Sequence, residues 1–114
     1  MPSDFRKLVT YQRAQELAVE LHRWTGRWSA YDRSTVGAQL VSAAFSVGAN
    51  IAEASGRWQP ADRRHFLHMA RGSLAETEHW ILCAEGLGLL EPGTSARIDL
   101  IARPLNGLIS KLNA

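Results

Sequence analysis

Glu53, Glu76, His79 and a run of arginines are the residues whose types and spacing can do chemistry in this chain. Glu53 closes the stretch Asn50-Ile51-Ala52-Glu53, and Glu76 closes Gly72-Ser73-Leu74-Ala75-Glu76. Asparagine both donates and accepts, whereas a carboxylate only accepts unless it is protonated. Two such carboxylates facing each other, with Arg57 one turn beyond Glu53, would make a buried acid–base pair. The same side chains suit a plainer role. An unsatisfied buried polar group costs roughly 1–3 kcal/mol, so residues in these stretches are expected to satisfy one another. On that reading Gln39, Ser46, Asn50, Glu53, Arg57, Ser73 and Glu76 form a hydrogen-bond network that fixes helix register. No nucleophile with an activating base accompanies them, which favours structure over catalysis.

Glu76-Thr77-Glu78-His79 has the Glu-x-x-His spacing of di-iron carboxylate bundles. Those sites need two such motifs and two further glutamates. Only one occurs here, so neither a metal nor another cofactor is expected. A small enzyme or metal-binding bundle using Glu53, Glu76 and His79 is the alternative function. His22, His65 and His68 read as surface or boundary histidines. Cys83, beside an apolar stripe, reads as a buried thiol without the basic neighbour that reactivity requires.

Arg57, Arg63, Arg64 and Arg71 are opposed within their span only by Asp62. Arg64, His68 and Arg71 share one face of a helix. A face made of Arg63, Arg64, His68 and Arg71 can neutralise phosphates without reading base sequence. Glu76, Glu78, Glu85, Glu91 and Asp99 follow, and would cancel this field if they lay alongside it.

The elements that must position these residues are helical. From Ser34 to Arg57 no charge falls between Arg33 and Glu53. Val36, Leu40, Val41, Phe45, Val47 and Ile51 are separated there by Gly, Ala and Ser. Gln39, Ser42, Ser46, Asn50, Glu53 and Arg57, three or four apart, share one side of the helix. A helix apolar on most sides with one polar seam is expected to be surrounded by partners. Ser34 or Thr35 can cap it, and Gly56 and Pro60 end it. Before it, an amphipathic helix spans about Ser3 to Arg27, capped by Ser3 or Asp4. After it, a third helix begins at Pro60 and is stopped by Gly88, with Phe66, Ala70, Ser73 or Leu74, Thr77, Trp80 or Ile81, Ala84 and Leu87 as its inward stripe. Thr94 or Ser95 caps a fourth, with Ile98, Ile101, Leu105, Leu108 and Leu112 as its seam and a kink expected at Pro104. The fold expected is all-α, a single-domain antiparallel up-down-up-down four-helix bundle over residues 1–114.

At the Asn50–Glu53 and Gly72–Glu76 motifs the sequence resembles the four-helix-bundle family named for intervening sequences of 23S ribosomal RNA genes. The resemblance rests on Gln39-Leu40, Ala43-Ala44, Ser46, Asn50 to Glu53, Arg57, Phe66-Leu67, Ala70, Gly72-Ser73-Leu74 and Glu76. Ala54 stands where that family usually has glycine. The resemblance implies a ring, commonly a homopentamer. It also implies kinship with accessory proteins of diversity-generating retroelements, which bind RNA or DNA and a reverse transcriptase.

Composition sets the remaining bounds. With 114 residues, 46% hydrophobic and 21% charged, the chain supports one core and argues against disorder. A lone cysteine excludes an internal disulfide. With no basic leader followed by an apolar run, a cytoplasmic setting is expected. The charge-free stretch is the only candidate membrane span, and Ser, Gln, Asn and Gly dilute it, so no membrane partner is expected. The function expected is a non-enzymatic, oligomeric, nucleic-acid-binding or partner-docking accessory protein.

Overall fold

Four helices carry the chain: α1 (Val9–Thr25), α2 (Ala30–Ser55), α3 (Pro60–Gly86) and α4 (Arg97–Asn113). The computed structural model describes residues 4–113, and no strand occurs among the described residues. Each helix packs on two neighbours: α2 on α1 and α3, and α4 on α1 and α3.

Local chemistry explains where the helices begin. Asp4 caps a short 3-10 turn, Phe5–Lys7, accepting from the Arg6 amide at 3.1 Å. Leu8 is then extended, so α1 starts at Val9, later than the spacing predicted. Ser3, the other expected cap, lies outside the described residues. Helix α2 starts earlier than expected, because Ser29 caps it by accepting from the Asp32 amide at 3.2 Å. Ser34 and Thr35 sit inside the helix, and their hydroxyls donate to the Tyr31 carbonyl at 3.2 and 2.8 Å. A π-helical turn, Arg33–Gly37, joins this first turn to the rest of α2. Pro60 opens α3, where its missing N–H costs nothing. Past Gly86 the chain turns through Gly88, whose φ of 74° is left-handed. Thr94 and Ser95, the expected caps of the last helix, lie instead in a 3-10 turn, Thr94–Ala96, that precedes α4 and is tied to α3, where Glu85 accepts from the Ser95 amide at 2.9 Å.

One core joins all four helices. Leu17 and Leu21 meet Leu40, Val47 and Ile51, with Leu67, Ile81, Ile101 and Leu105 closing the other side. Burying each such side chain stabilises by about 1.5–3 kcal/mol, more than any surface ion pair, so these residues hold the bundle together. Three details differ from the expected stripes. Leu87 is 60% exposed, because α3 has ended before it. Leu67 is fully buried. Ile109 is buried where Leu108 and Leu112 are only partly so. Gly48 allows α1 and α2 to approach closely, since a Cβ there would stand 3.1 Å from Gln15 Oε1 and 3.3 Å from the Tyr11 ring. Ala54 is buried within plainly helical backbone.

The charge-free helix is a corner of the bundle, not its centre. Ala38, Gln39, Ser42 and Ala49 on its outer side are exposed. Ala30–Ser55 is long and apolar enough to cross a membrane by length and composition, yet Leu40, Val47 and Ile51 spend their apolar surface on neighbouring helices.

Helix α4 runs unbroken through Pro104. Proline has no N–H to offer the carbonyl four residues back, that of Leu100. Arg13 on α1 supplies the missing donor at 2.7 Å. The Thr10 hydroxyl, itself buried, donates to the adjacent Ile101 carbonyl at 2.9 Å. Further along the same pair of helices, Glu20 forms an ion pair with Arg97.

Candidate nucleic-acid interface

The basic residues expected to contact phosphate lie on the first half of α3. Arg71 is exposed, and its guanidinium lies 3.0 Å from His68 Nδ1, which accepts from it. Both share a helical face with Arg64. Arg64 is half-buried and donates to the Leu112 carbonyl at 2.9 Å, near the end of α4. A cation at a helix C-terminus satisfies an orphan carbonyl and opposes the negative end of the helix dipole. Arg63 is half-buried too, and its Nε donates to the Arg57 carbonyl at 2.7 Å, closing the turn between α2 and α3. Arg57 is committed elsewhere: it pairs with Glu53 and lies 4.6 Å over the Phe66 ring. Of the expected set, His68 and Arg71 are free to face solvent, while Arg63 and Arg64 also do structural work.

No acid forms an ion pair with Arg63, Arg64 or Arg71 among the described residues. The acids feared as neighbours are engaged in part elsewhere. Asp99 pairs with Arg103 at 2.7 Å, and Glu85 caps the 3-10 turn ahead of α4.

The polar seam of α2 is a set of outward side chains, which corrects the expectation of a buried network. Gln39, Ser42, Glu53 and Arg57 are exposed, and Ser46 and Asn50 are half-buried. Asn50 donates to the Ser46 carbonyl at 2.9 Å, and the Ser46 hydroxyl to the Ala43 carbonyl at 2.9 Å. On α3 the Ser73 carbonyl accepts from the buried Thr77 hydroxyl at 2.8 Å, and Glu76 is exposed. Among the described residues no hydrogen bond joins the seam to Ser73 or Glu76. The reason is steric: Leu40, Ala43, Ala44, Val47, Ile51 and Ala54 occupy the buried side of α2, which turns the seam away.

Glu53, Glu76 and His79 do not converge. Among the described residues no three His, Cys, Asp or Glu side chains gather as a metal ion would require. His79 is exposed, packs edge-on against Trp80 with ring centroids 4.8 Å apart, and places Nε2 3.7 Å from the half-buried Cys83 sulfur. The expected thiol without a basic neighbour is corrected by that contact.

Sequence reasoning missed Thr10, Arg13 and Glu85, whose partners lie on other elements. For Arg13 a signal existed in Pro104, which announces an orphaned carbonyl at Leu100. For Glu85 there was none.

No curated protein matches the chain. Residues 6–111 match the family described as 23S rRNA-intervening sequence protein, and with nearly its whole length covered the chain belongs to that family.

Proposed function

We propose that this protein is a non-enzymatic, self-assembling accessory protein that holds nucleic acid by its phosphates and offers its assembled surface to a partner protein. The observation that carries this reading is the α3 face around His68 and Arg71, exposed and without an acidic partner among the described residues. Its bundle is read as up-down-up-down. The support is the order of contacts: Thr10 with Ile101 and Glu20 with Arg97, then Arg64 with Leu112 and Glu85 with Ser95. Self-association is supported by Met69, Leu82, Leu87 and Leu100, all exposed, and by the uncharged outer side of α2. A closed ring, with five copies the number the family resemblance implies, would repeat the basic face and make weak sites multivalent. The protein partner is a reverse transcriptase by the same resemblance, and the setting is cytoplasmic.

The test is fluorescence anisotropy with single-stranded RNA and DNA of mixed sequence over a range of salt. The expected result is base-indifferent binding with a log–log salt slope of about −0.7 to −1.4 per subunit, from one or two phosphates at about 0.7 each. Arg71→Glu should weaken binding without changing thermal stability, since Arg71 is exposed. Salt-independent binding, or unchanged affinity in Arg71→Glu, would overturn the reading.

A further inference from the structure

A cavity of about 430 Å³ opens between the end of α1 and the turn that joins α3 to α4. That is within the range of roughly 300–1,000 Å³ of small-molecule sites. Trp24, Trp28, Leu89 and Leu90 give it mostly apolar walls, and Arg27 and Glu91 bring the two charges. Among the described residues neither of those charged side chains has a hydrogen-bond or ion-pair partner, and they do not pair with each other. Arg27 and Glu91 are exposed at the rim, and Trp24 and Trp28 are half-buried. Two indoles beside a carboxylate and a guanidinium suit a ligand that is flat and aromatic, offers hydrogen-bond donors to the carboxylate and carries an anion for the arginine.

We propose that this cavity binds a guanine nucleotide unit, with the base against Trp24 and Trp28, its donor edge on Glu91 and its phosphate on Arg27. A carboxylate only accepts, through two oxygens side by side. Guanine alone among the common bases presents two adjacent donors on its pairing edge, the ring N1–H and the exocyclic amino group. Adenine and cytosine put an acceptor beside their amino group, and uracil sets one donor between two acceptors. Base–indole stacking tolerates any base, so the selection rests on Glu91. Arginine is suited to phosphate by its planar fork of donors.

The walls are held in place before any ligand arrives. Trp28 packs on Gly37 at the end of the π-helical turn, where a Cβ would meet the ring at 3.5 Å and the Asp32 carbonyl at 3.2 Å. Such turns recur at functional sites. Leu89 and Leu90 are tied by their amides to the Ala84 carbonyl at 2.8 and 3.4 Å. The Glu91 carbonyl accepts from the Thr94 amide at 3.2 Å and the Thr94 hydroxyl at 2.7 Å, across Gly93 with its φ of 95°. The proposal deepens the nucleic-acid reading if the guanine belongs to a strand. It does not depend on that reading, because Arg63 and Arg64 stand at the other end of α3.

The full chain carries four tryptophans, so four indole N–H signals can be followed by NMR during titration with nucleoside monophosphates. Guanosine monophosphate should shift the Trp24 and Trp28 signals saturably, and bind roughly tenfold tighter than its adenosine, cytidine and uridine counterparts. Glu91→Gln should erase that preference. Arg27→Gln should weaken guanosine monophosphate several-fold and leave unphosphorylated guanosine unchanged. A single-stranded oligoadenylate with one guanosine identifies the source. Displacing the mononucleotide supports a guanosine in RNA; failing to displace it supports a free nucleotide. No saturable shift with any nucleotide, equal affinity for the adenosine and guanosine forms, or a retained guanine preference in Glu91→Gln would overturn the proposal. Arg71→Glu should leave this titration unaltered, which separates its failure from failure of the phosphate-binding face.

Discussion

At the scale of single residues, the most consequential contact is the one Pro104 makes necessary. The Leu100 carbonyl, deprived of its helical donor, takes Arg13 instead. Arg13→Ala should therefore lower stability by about 0.5–1.5 kcal/mol, the net worth of such a bond. Pro104→Ala restores an amide to the helix, and in that background Arg13→Ala should cost almost nothing. Urea unfolding of the two single variants and the double variant would read this coupling directly. Additive effects would mean that Arg13 contributes by packing alone. Asp4 contributes one small pH dependence on the acid side. The Arg6 side-chain hydrogen bond, helped by the Arg6 amide and charge, holds its carboxyl below the ordinary 3.8. Its contribution is present above that value and is lost as pH falls through the lowered one. Asp4→Asn should remove this acid-side dependence from the melting curve and leave the neutral-pH fold intact.

At the scale of elements, the ends of the helices depend on one another. Arg64, near the start of α3, holds the last turn of α4 through the Leu112 carbonyl. Arg64→Ala should fray that turn, with faster amide exchange there and about 0.5–1.5 kcal/mol lost. Arg71→Ala should stay within about 0.5 kcal/mol of wild type, as an exposed side chain does. Charge reversal at Arg64 therefore mixes a fold effect with a binding effect, and Arg71 is the cleaner probe of the basic face. The π-helical turn is the other joint. Gly37→Ala pushes a methyl toward the Asp32 carbonyl and Trp28, and overpacking of this kind costs roughly 1–3 kcal/mol. A lowered melting temperature with an altered Trp28 environment would be the signature.

At the scale of the whole molecule, the described residues form a rod of 44 × 21 × 20 Å whose surface is unevenly finished. Trp58 is 91% exposed and Leu82 52%, while the outer side of α2 carries no charge from Ala38 to Ala52. We expect a multimer by sedimentation at micromolar concentration. Ala49→Lys should shift it toward monomer without loss of helicity if the uncharged side of α2 is the interface. A wild-type monomer across that range would remove self-association from the proposal.

The sequence by itself determined four helices, most of the core and the family, because apolar periodicity and punctuation by proline and glycine act over neighbouring residues. Leu40, Ile51, Ala70, Ala84, Ile101 and Leu105 were legible in that way. The motif residues Asn50, Glu53, Ser73 and Glu76 were legible as a pattern but not as a network. Spacing says which residues share a side of a helix, while the rotation of each helix against its neighbours says which side is buried. That rotation is set by the fit of Leu40, Val47, Ile51 and Gly48 into the facing helices, and it turned the polar seam outward. Partners remote in the chain, such as Arg13 with Leu100 and Arg64 with Leu112, belong to tertiary structure for the same reason. A carbonyl freed by proline or by a helix end takes whichever donor the packing brings within 3 Å, and no local rule names it.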